Sequence, residues 1–204
     1  MEYYNVALQM PEAVAETARQ LSADVAASEE AYFTLSEAGP FPHVTLYQTG
    51  FNEEQRADLV KSLQEAVLQL SPVTCAVDGV SSNDGWLGFR LQSTSELVEL
   101  QRRIVEAASP YRNQPFDPVE LFPGAVFSPE QMDNFSQFGY DKLGKLFSPH
   151  LTITRLKDGK AAERLAKTLI PPESVQRFTV TELGLFKSGE HGTCQKMLES
   201  LPLA

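Results

Sequence analysis

A five-residue pattern occurs twice in this chain and limits its possible folds more than any other feature. Pro42-His43-Val44-Thr45-Leu46 is followed, 107 positions on, by Pro149-His150-Leu151-Thr152-Ile153. Each copy reads proline, histidine, aliphatic, threonine, aliphatic. Strand side chains alternate between faces, so His43, Thr45 and Tyr47 are expected on one face and Val44 and Leu46 on the other. In the second copy His150, Thr152 and Thr154 oppose Leu151 and Ile153 in the same way. Each copy thus buries aliphatic residues and presents an imidazole beside a hydroxyl, and two of the three histidines are placed so.

The surrounding periodicity repeats with the motif. Tyr3 to Met10 alternates as a first strand, and Val14, Ala18, Leu21 and Val25 recur at helical spacing up to about Ala27. Residues 33 to 41 read as loop or irregular strand. After the first motif strand, Pro42 to about Thr49, Asn52 and Gln55 have capping-box spacing for a helix with a Leu59, Leu63, Ala66 or Val67, and Leu70 stripe, closed by Pro72. Val73 to Val80 and Trp86 to Gln92 read as a hairpin around residues 81–85. Leu87, Phe89 and Leu91 are expected in the core, with Trp86, Gly88 and Arg90 opposite. Leu97, Leu100, Ile104 and Ala107 or Ala108 mark a third helix. Residues 109 to 148 form a long, proline-rich connection of lid-like character, with a helix at Pro129 to Phe138 capped by Ser128 and Gln131. After the second motif strand, Asp158 caps a helix with an Ala162, Leu165 and Leu169 face. Gln176 to Lys187 then reads as one strand, turning at 189–192 into a short partner, Thr193 to Leu198. Motif strand, helix and hairpin therefore occur twice, which predicts an α+β fold of two pseudo-symmetric lobes, each an antiparallel-rich sheet with outer helices, around a central cleft. Residues 1–204 are expected to form a single bilobal domain.

The doubled His-x-Thr-x pattern resembles the 2H phosphoesterase superfamily, which includes the RNA 2′,3′-cyclic phosphodiesterases, once called 2′-5′ RNA ligases, and the cyclic nucleotide phosphodiesterases. The likeness extends to the strand-helix start at Tyr4 to Leu8 with Pro11, and to Leu183-Gly184-Leu185-Phe186-Lys187-Ser188 before the final turn. It implies that the substrate class is cyclic phosphates and related phosphodiesters, and that His43, Thr45, His150 and Thr152 are catalytic. It also implies that His43 is the acid and His150 the base, roles that exchange with substrate orientation.

The residues themselves support that chemistry. Histidine titrates near neutrality, so a pair can supply a base and an acid at one pH. Hydrolysis of a cyclic phosphodiester needs a base to deprotonate water and an acid to protonate the departing sugar oxygen, on opposite sides of phosphorus. The threonine two residues on can donate to a non-bridging phosphate oxygen. The scheme calls for no cofactor and no metal, and no metal-ligand spacing occurs: there is no His-x-x-x-His, no Cys-x-x-Cys and no acidic loop-ligand cluster. The expected activity is metal-independent hydrolysis of a nucleoside or RNA-end 2′,3′-cyclic phosphate. Two alternatives stand beside it: cleavage of 2′-5′ oligonucleotides or cyclic signalling nucleotides, and a non-catalytic nucleotide- or RNA-end-binding module.

Charge narrows the partners. Seventeen basic against 27 acidic residues leave a net charge of −10, which repels long polyanions. Small nucleotides or short RNA ends are therefore expected rather than long nucleic acid, with no membrane partner and a monomeric state. The N-terminus lacks a positive n-region, and Cys75 and Cys194 read as reduced thiols, which together point to a cytoplasmic protein. Further candidates for the substrate are Tyr47 and Thr154, next along the motif faces; Trp86 and Phe186, for stacking on a base; and Arg90, on the face of Trp86. Arg155 falls on the opposite face by strict alternation but lies where a strand end lets it swing toward phosphate. His191, in a glycine-flanked turn without a matching threonine, reads as a surface histidine.

Overall fold

The computed structural model of the chain describes residues 2–113, 118 and 124–204. In chain order the elements are β1 (Tyr3–Gln9), α1 (Glu12–Ser28), β2 (His43–Gly50), α2 (Arg56–Val67), β3 (Val73–Asn83), β4 (Trp86–Leu91) and α3 (Ser95–Ala108). There follow α4 (Pro129–Phe138), β5 (His150–Arg155), α5 (Gly159–Thr168), α6 (Glu173–Gln176), β6 (Arg177–Val180), β7 (Glu182–Ser188) and β8 (Cys194–Pro202). The strands make two four-stranded sheets, ordered β2-β1-β7-β8 and β5-β4-β3-β6. Every pairing is antiparallel.

Both motif strands lie at sheet edges, and the two edges adjoin one another. The internal echo is β1-α1-β2 against β4-α3-β5: in each lobe a strand leads through a helix to an edge strand that pairs back on it. One buried apolar cluster joins the lobes, taking Leu8, Val44 and Leu46 from one sheet and Phe89, Leu151 and Ile153 from the other. The motif aliphatics are completely buried there. Their burial fixes which face of each strand is left for the histidines, because a one-residue slip would exchange the two faces.

Local chemistry explains most element boundaries. Ser128 and Gln131 form the capping box of α4 and Gly139, at φ 69°, ends it, while Asp158 caps α5 through the Lys160 amide. The β3–β4 hairpin turns on Asp84 and Gly85 alone, both at positive φ (47° and 83°), the geometry for which Asp-Gly is favoured. Three expectations change. Asn52 caps through Glu54 rather than Gln55, because a short 3₁₀ turn precedes α2. Residues 176–187 are not one strand: Arg177–Val180 pairs with β3, and the chain then crosses at Thr181 to pair with β1. Alternation carries no record of which sheet a strand joins. The returning strand β8 runs to Pro202, longer than its alternating part. The lid-like reading of 109–148 falls in part on residues 114–117 and 119–123, which lie outside the described residues.

Gly88 faces Thr152 across β4 and β5, and a Cβ there would stand 2.6 Å from the Leu151 carbonyl oxygen and 3.1 Å from the Thr152 Cα. The motif backbone blocks any side chain at this position. Gly88→Ala is expected to cost about 1–3 kcal/mol by overpacking, read from denaturant unfolding, whereas Gly159→Ala, whose added Cβ would meet nothing nearer than the Gly85 amide nitrogen at 3.6 Å, serves as the control for replacing a glycine without a clash.

Candidate active site

The two motifs share an irregularity that reshapes the cleft. In β2 the register passes from Thr45 opposite Ala7 to Tyr47 opposite Val6, leaving Leu46 as an extra residue. In β5 it passes from Thr152 opposite Gly88 to Thr154 opposite Leu87, leaving Ile153 as the extra one. Each motif thus carries a β-bulge at its last position, and a bulge re-aims every side chain beyond it. Tyr47 and Thr154 are correspondingly buried, and the expectation that they line the cleft is corrected. The Tyr47 hydroxyl donates to the Phe138 carbonyl, and the Thr154 hydroxyl donates to the Phe33 carbonyl at 2.6 Å. Both side chains tie flanking segments to the motif strands.

The same bulges return Gln48 and Arg155 to the histidine face, opposite Asn5 and Trp86 respectively. Arg155 therefore reaches the cleft by a register change, not by swinging at a frayed end. Gln101, buried on α3, donates to the carbonyl of the bulged Leu46 (3.0 Å) and to that of Lys142 (2.9 Å). It thereby satisfies a backbone acceptor at the bulge and binds β2 to the segment leading into β5.

Each histidine is held by its own chain. His43 Nδ1 lies 2.8 Å from the Phe41 carbonyl oxygen, and His150 Nδ1 lies 2.8 Å from that of Ser148. In both cases the acceptor belongs to the residue two positions earlier. A carbonyl accepts only, so Nδ1 carries the proton and Nε2 is left with its lone pair. Burial pushes the His43 pKa down to about 4, against a smaller opposing pull from the Phe41 carbonyl, and the charge of His150 adds slightly to the depression. His150 is also lowered, by burial first, against the Ser148 carbonyl, with Lys142 adding to the depression. The strands that carry the two imidazoles adjoin one another. Lys142 adds a cation by the second motif that sequence pattern did not single out.

Beyond the histidines the lobes differ. In the first, Asn5 is completely buried on the motif face and its Nδ2 donates to Thr45 Oγ1 at 2.9 Å. Gln48 Nε2 donates to Ser188 Oγ at 3.1 Å. In the second, the Arg155 guanidinium lies 5.4 Å from the ring centre of Tyr32 and 5.3 Å from that of Trp86. It also pairs with the Asp84 carboxylate at 2.7 Å and donates to His191 Nδ1 at 3.2 Å. His191, at φ 57°, packs on Tyr32 with ring centres 4.7 Å apart. The third histidine thus belongs to an aromatic and cationic cluster with Trp86, contrary to its reading as a plain surface residue. Its signal in the sequence was the flanking Gly189 and Gly192, which permit a tight turn.

Two further candidates are not available as expected. Arg90 shares the His150 face but is ion-paired with Asp78 at 2.6 Å. Phe186 lies buried over Gly184 and against Phe41, at 5.8 Å between ring centres, in a small cluster with Ala7 and Cys194. Among the described residues no group of three or more His, Cys, Asp or Glu is placed to hold a metal ion. No described helix is long and apolar enough to cross a membrane. A recess of about 400 Å³ beside α1 includes neither motif histidine, and Glu12, Glu16 and Glu37 around Arg19 make it unsuited to phosphate.

The lowered histidine pKa has a consequence for stability. His43 titrates lower in the folded chain than in the unfolded one, so between pH 6.5 and about 4 the unfolded state binds more protons. The stability that its neutral form provides is therefore complete above pH 6.5 and is lost as pH falls toward 4. Unfolding free energy measured across that window is expected to fall with pH more steeply for the natural protein than for His43→Asn. Equal slopes would show that His43 is not buried in neutral form.

Comparison with known proteins agrees with this architecture. The family model of the 2'-5' RNA ligase superfamily matches residues 10–192. Similar solved structures include Escherichia coli LigT in its apo form (16% identity, TM-score 0.57) and the same protein complexed with 3'-AMP (18%, 0.57). TT0787 of Thermus thermophilus is also similar (15%, 0.62), and in all three cases the match covers 100% of this chain and 98% of the other. No curated protein matches the chain. With both motifs inside the matched span and the two-sheet fold shared throughout, this chain belongs to the 2'-5' RNA ligase superfamily of 2H phosphoesterases.

Proposed function

We propose that this protein is a metal-independent phosphodiesterase that hydrolyses a cyclic phosphate, such as the 2′,3′-cyclic phosphate of a nucleoside or a short RNA end. The observation that carries the reading is the matched anchoring of the two motif imidazoles: each gives its Nδ1 proton to its own chain and keeps Nε2 for the cleft. One Nε2 takes a proton from the attacking water while the other, protonated, gives one to the departing sugar oxygen. Thr45 and Thr152 donate to the non-bridging oxygens as charge builds there. Lys142, with the Asp84-paired guanidinium of Arg155 nearby, places positive charge beside the second motif in a chain of net charge −10. That concentration favours a small anion over a long one. LigT, which shares the fold, has been solved with 3'-AMP and with phosphate.

The acid must be cationic when substrate is bound. Burial keeps both imidazoles neutral before an anion enters, and His43 is depressed the more strongly. A phosphodiester between them raises both pKa values by opposite charge, and one proton is then shared across the pair. The family resemblance makes His43 the acid and His150 the base, whereas the electrostatics without an anion favour protonation of His150. Trp86, half-buried beside Arg155 and Tyr32, offers an aromatic surface on which the base of a nucleotide stacks.

The test is turnover of a panel of 2′,3′-cyclic nucleotides and a short RNA with a cyclic phosphate end, with chelator present throughout. His43→Ala and His150→Ala are each expected to lose about 10²–10⁴-fold in kcat/KM, and the natural protein to show a bell-shaped pH profile whose acid limb is lost with the base. Turnover that requires metal, or that survives both substitutions, would overturn the mechanism; nucleotide binding without turnover would establish a binding module instead. Trp86→Ala is expected to raise KM by about tenfold, the value of one base stacked on an aromatic ring, with a smaller change in kcat. An unchanged KM would remove the stacking surface from the site.

A further inference from the structure

Thr45 and Thr152 occupy equivalent positions in the two motifs, yet their surroundings differ in one respect. Thr45 Oγ1 accepts a hydrogen bond from Asn5 Nδ2 at 2.9 Å, whereas Thr152 has no such donor among the described residues. The cause lies in the neighbouring strand. Asn5 stands opposite Gln48 on β1, and the matching position on β4, opposite Arg155, is Trp86. Trp86 is turned into the aromatic cluster and carries no amide to offer.

We infer that Asn5 is a positioning residue that presets the Thr45 hydroxyl as the donor to a phosphate oxygen, making the two motif threonines functionally unequal; the inference rests on the paired-histidine reading above. A threonine hydroxyl has one proton and two lone pairs. When Asn5 Nδ2 occupies a lone pair, the proton cannot point back at Asn5 and is left for the cleft. Thr45 therefore meets the anion already oriented, while Thr152 must settle its rotor when the anion arrives. Preorganised donors are the ones that act most strongly on developing charge.

The position of Asn5 favours a role in the site over one in stability. Asparagine is disfavoured within strands, and this one lies completely buried between Tyr4 and Val6, residues of the core. Its Oδ1 has no hydrogen-bond partner among the described residues. A half-satisfied buried amide is unfavourable for folding. What the amide provides is a donor aimed at a motif threonine, on the sheet face that carries His43.

The experiment is a pair of double-mutant cycles read in two ways, by kcat/KM on a 2′,3′-cyclic nucleotide and by affinity for inorganic phosphate. Asn5→Ala is expected to lose about three- to tenfold in both, the effect of one neutral hydrogen bond. Combined with Thr45→Val it should add nothing further, while with Thr152→Val its effect should multiply in full. A merely structural role would multiply in both cycles. Asn5→Asp keeps the shape but only accepts, so it turns the Thr45 proton away from the cleft; it is expected to be worse than Asn5→Ala, by about tenfold more in kcat/KM, since an ionised acceptor binds that proton more strongly than a neutral one. Asn5→Asp as active as the natural protein, or an Asn5→Ala effect that multiplies in the Thr45 cycle, would overturn the inference. Should the Asn5 variants not fold, serine replacements decide. Thr45→Ser, still anchored by Asn5, is expected to keep activity better than Thr152→Ser, and equal losses would overturn the inference. A natural protein that neither binds inorganic phosphate nor turns over any of the panel would remove the paired-histidine reading itself, and the inference with it. Binding or turnover with the wrong cycle removes the inference alone.

Discussion

The cleft depends on one backbone device used twice, the β-bulge at Leu46 and at Ile153. Without it a motif strand would alternate strictly, placing Tyr47 and Thr154 beside the histidines and turning Gln48 and Arg155 away. With it, each strand sends two consecutive side chains inward, Leu46 with Tyr47 and Ile153 with Thr154, all of them buried. These bind the strand to what surrounds it: Tyr47 to the end of α4, Thr154 to the loop after α1. An edge strand has one unpaired side and is free to shift unless something holds it. The extra inward residue in each strand is that hold, and it keeps the imidazoles fixed on strands that lie at sheet edges.

Symmetry of backbone coexists with asymmetry of chemistry. The histidines are anchored alike, each to the carbonyl two residues back. Beyond them one lobe offers neutral amides, Asn5 and Gln48, and the other a guanidinium enclosed by Tyr32, Trp86 and His191. The cyclic phosphate proposed as substrate is itself unsymmetrical, with a leaving oxygen that stays on the sugar and a water that arrives from the far side. Two identical half-sites would bind it equally well in either sense. Differences at the positions flanking the motifs are where a preferred orientation can be encoded.

The fold was legible wherever periodicity and local chemistry suffice. The motif strands, the Leu59, Leu63 and Val67 face of α2, the Leu97, Leu100 and Ile104 face of α3 and the Ser128 cap all follow from spacing alone. The crossing at Thr181 was hidden, because a strand that changes sheets still alternates. The bulges were hidden for a related reason. Leu46 followed by Tyr47 looks like ordinary alternation with an aromatic on the open face, and only the partner strand reveals the extra residue. Arg90 was placed on the correct face but is neutralised by Asp78, a residue bulged out of β3. Asn5 and His191 left weak traces, a polar residue in an apolar strand and a histidine between glycines. Each gains its place through a neighbour distant in sequence, Thr45 and Arg155 respectively.

Burial of the cleft leaves its charge state to be set from outside. Neutral imidazoles cost little to keep in an apolar surround, whereas two imidazolium ions facing each other there would be penalised by both desolvation and repulsion. The described residues supply no carboxylate hydrogen-bonded to either imidazole; both Nδ1 atoms rest on backbone carbonyls, which orient the ring without fixing its charge. The charge state of the pair is therefore left to the ligand. On the proposed mechanism, an entering phosphodiester makes a single imidazolium favourable, and it does so only while bound. Preorganisation on that mechanism consists of geometry held by the strands and protonation left open, so that the acid would be formed by the substrate it acts upon.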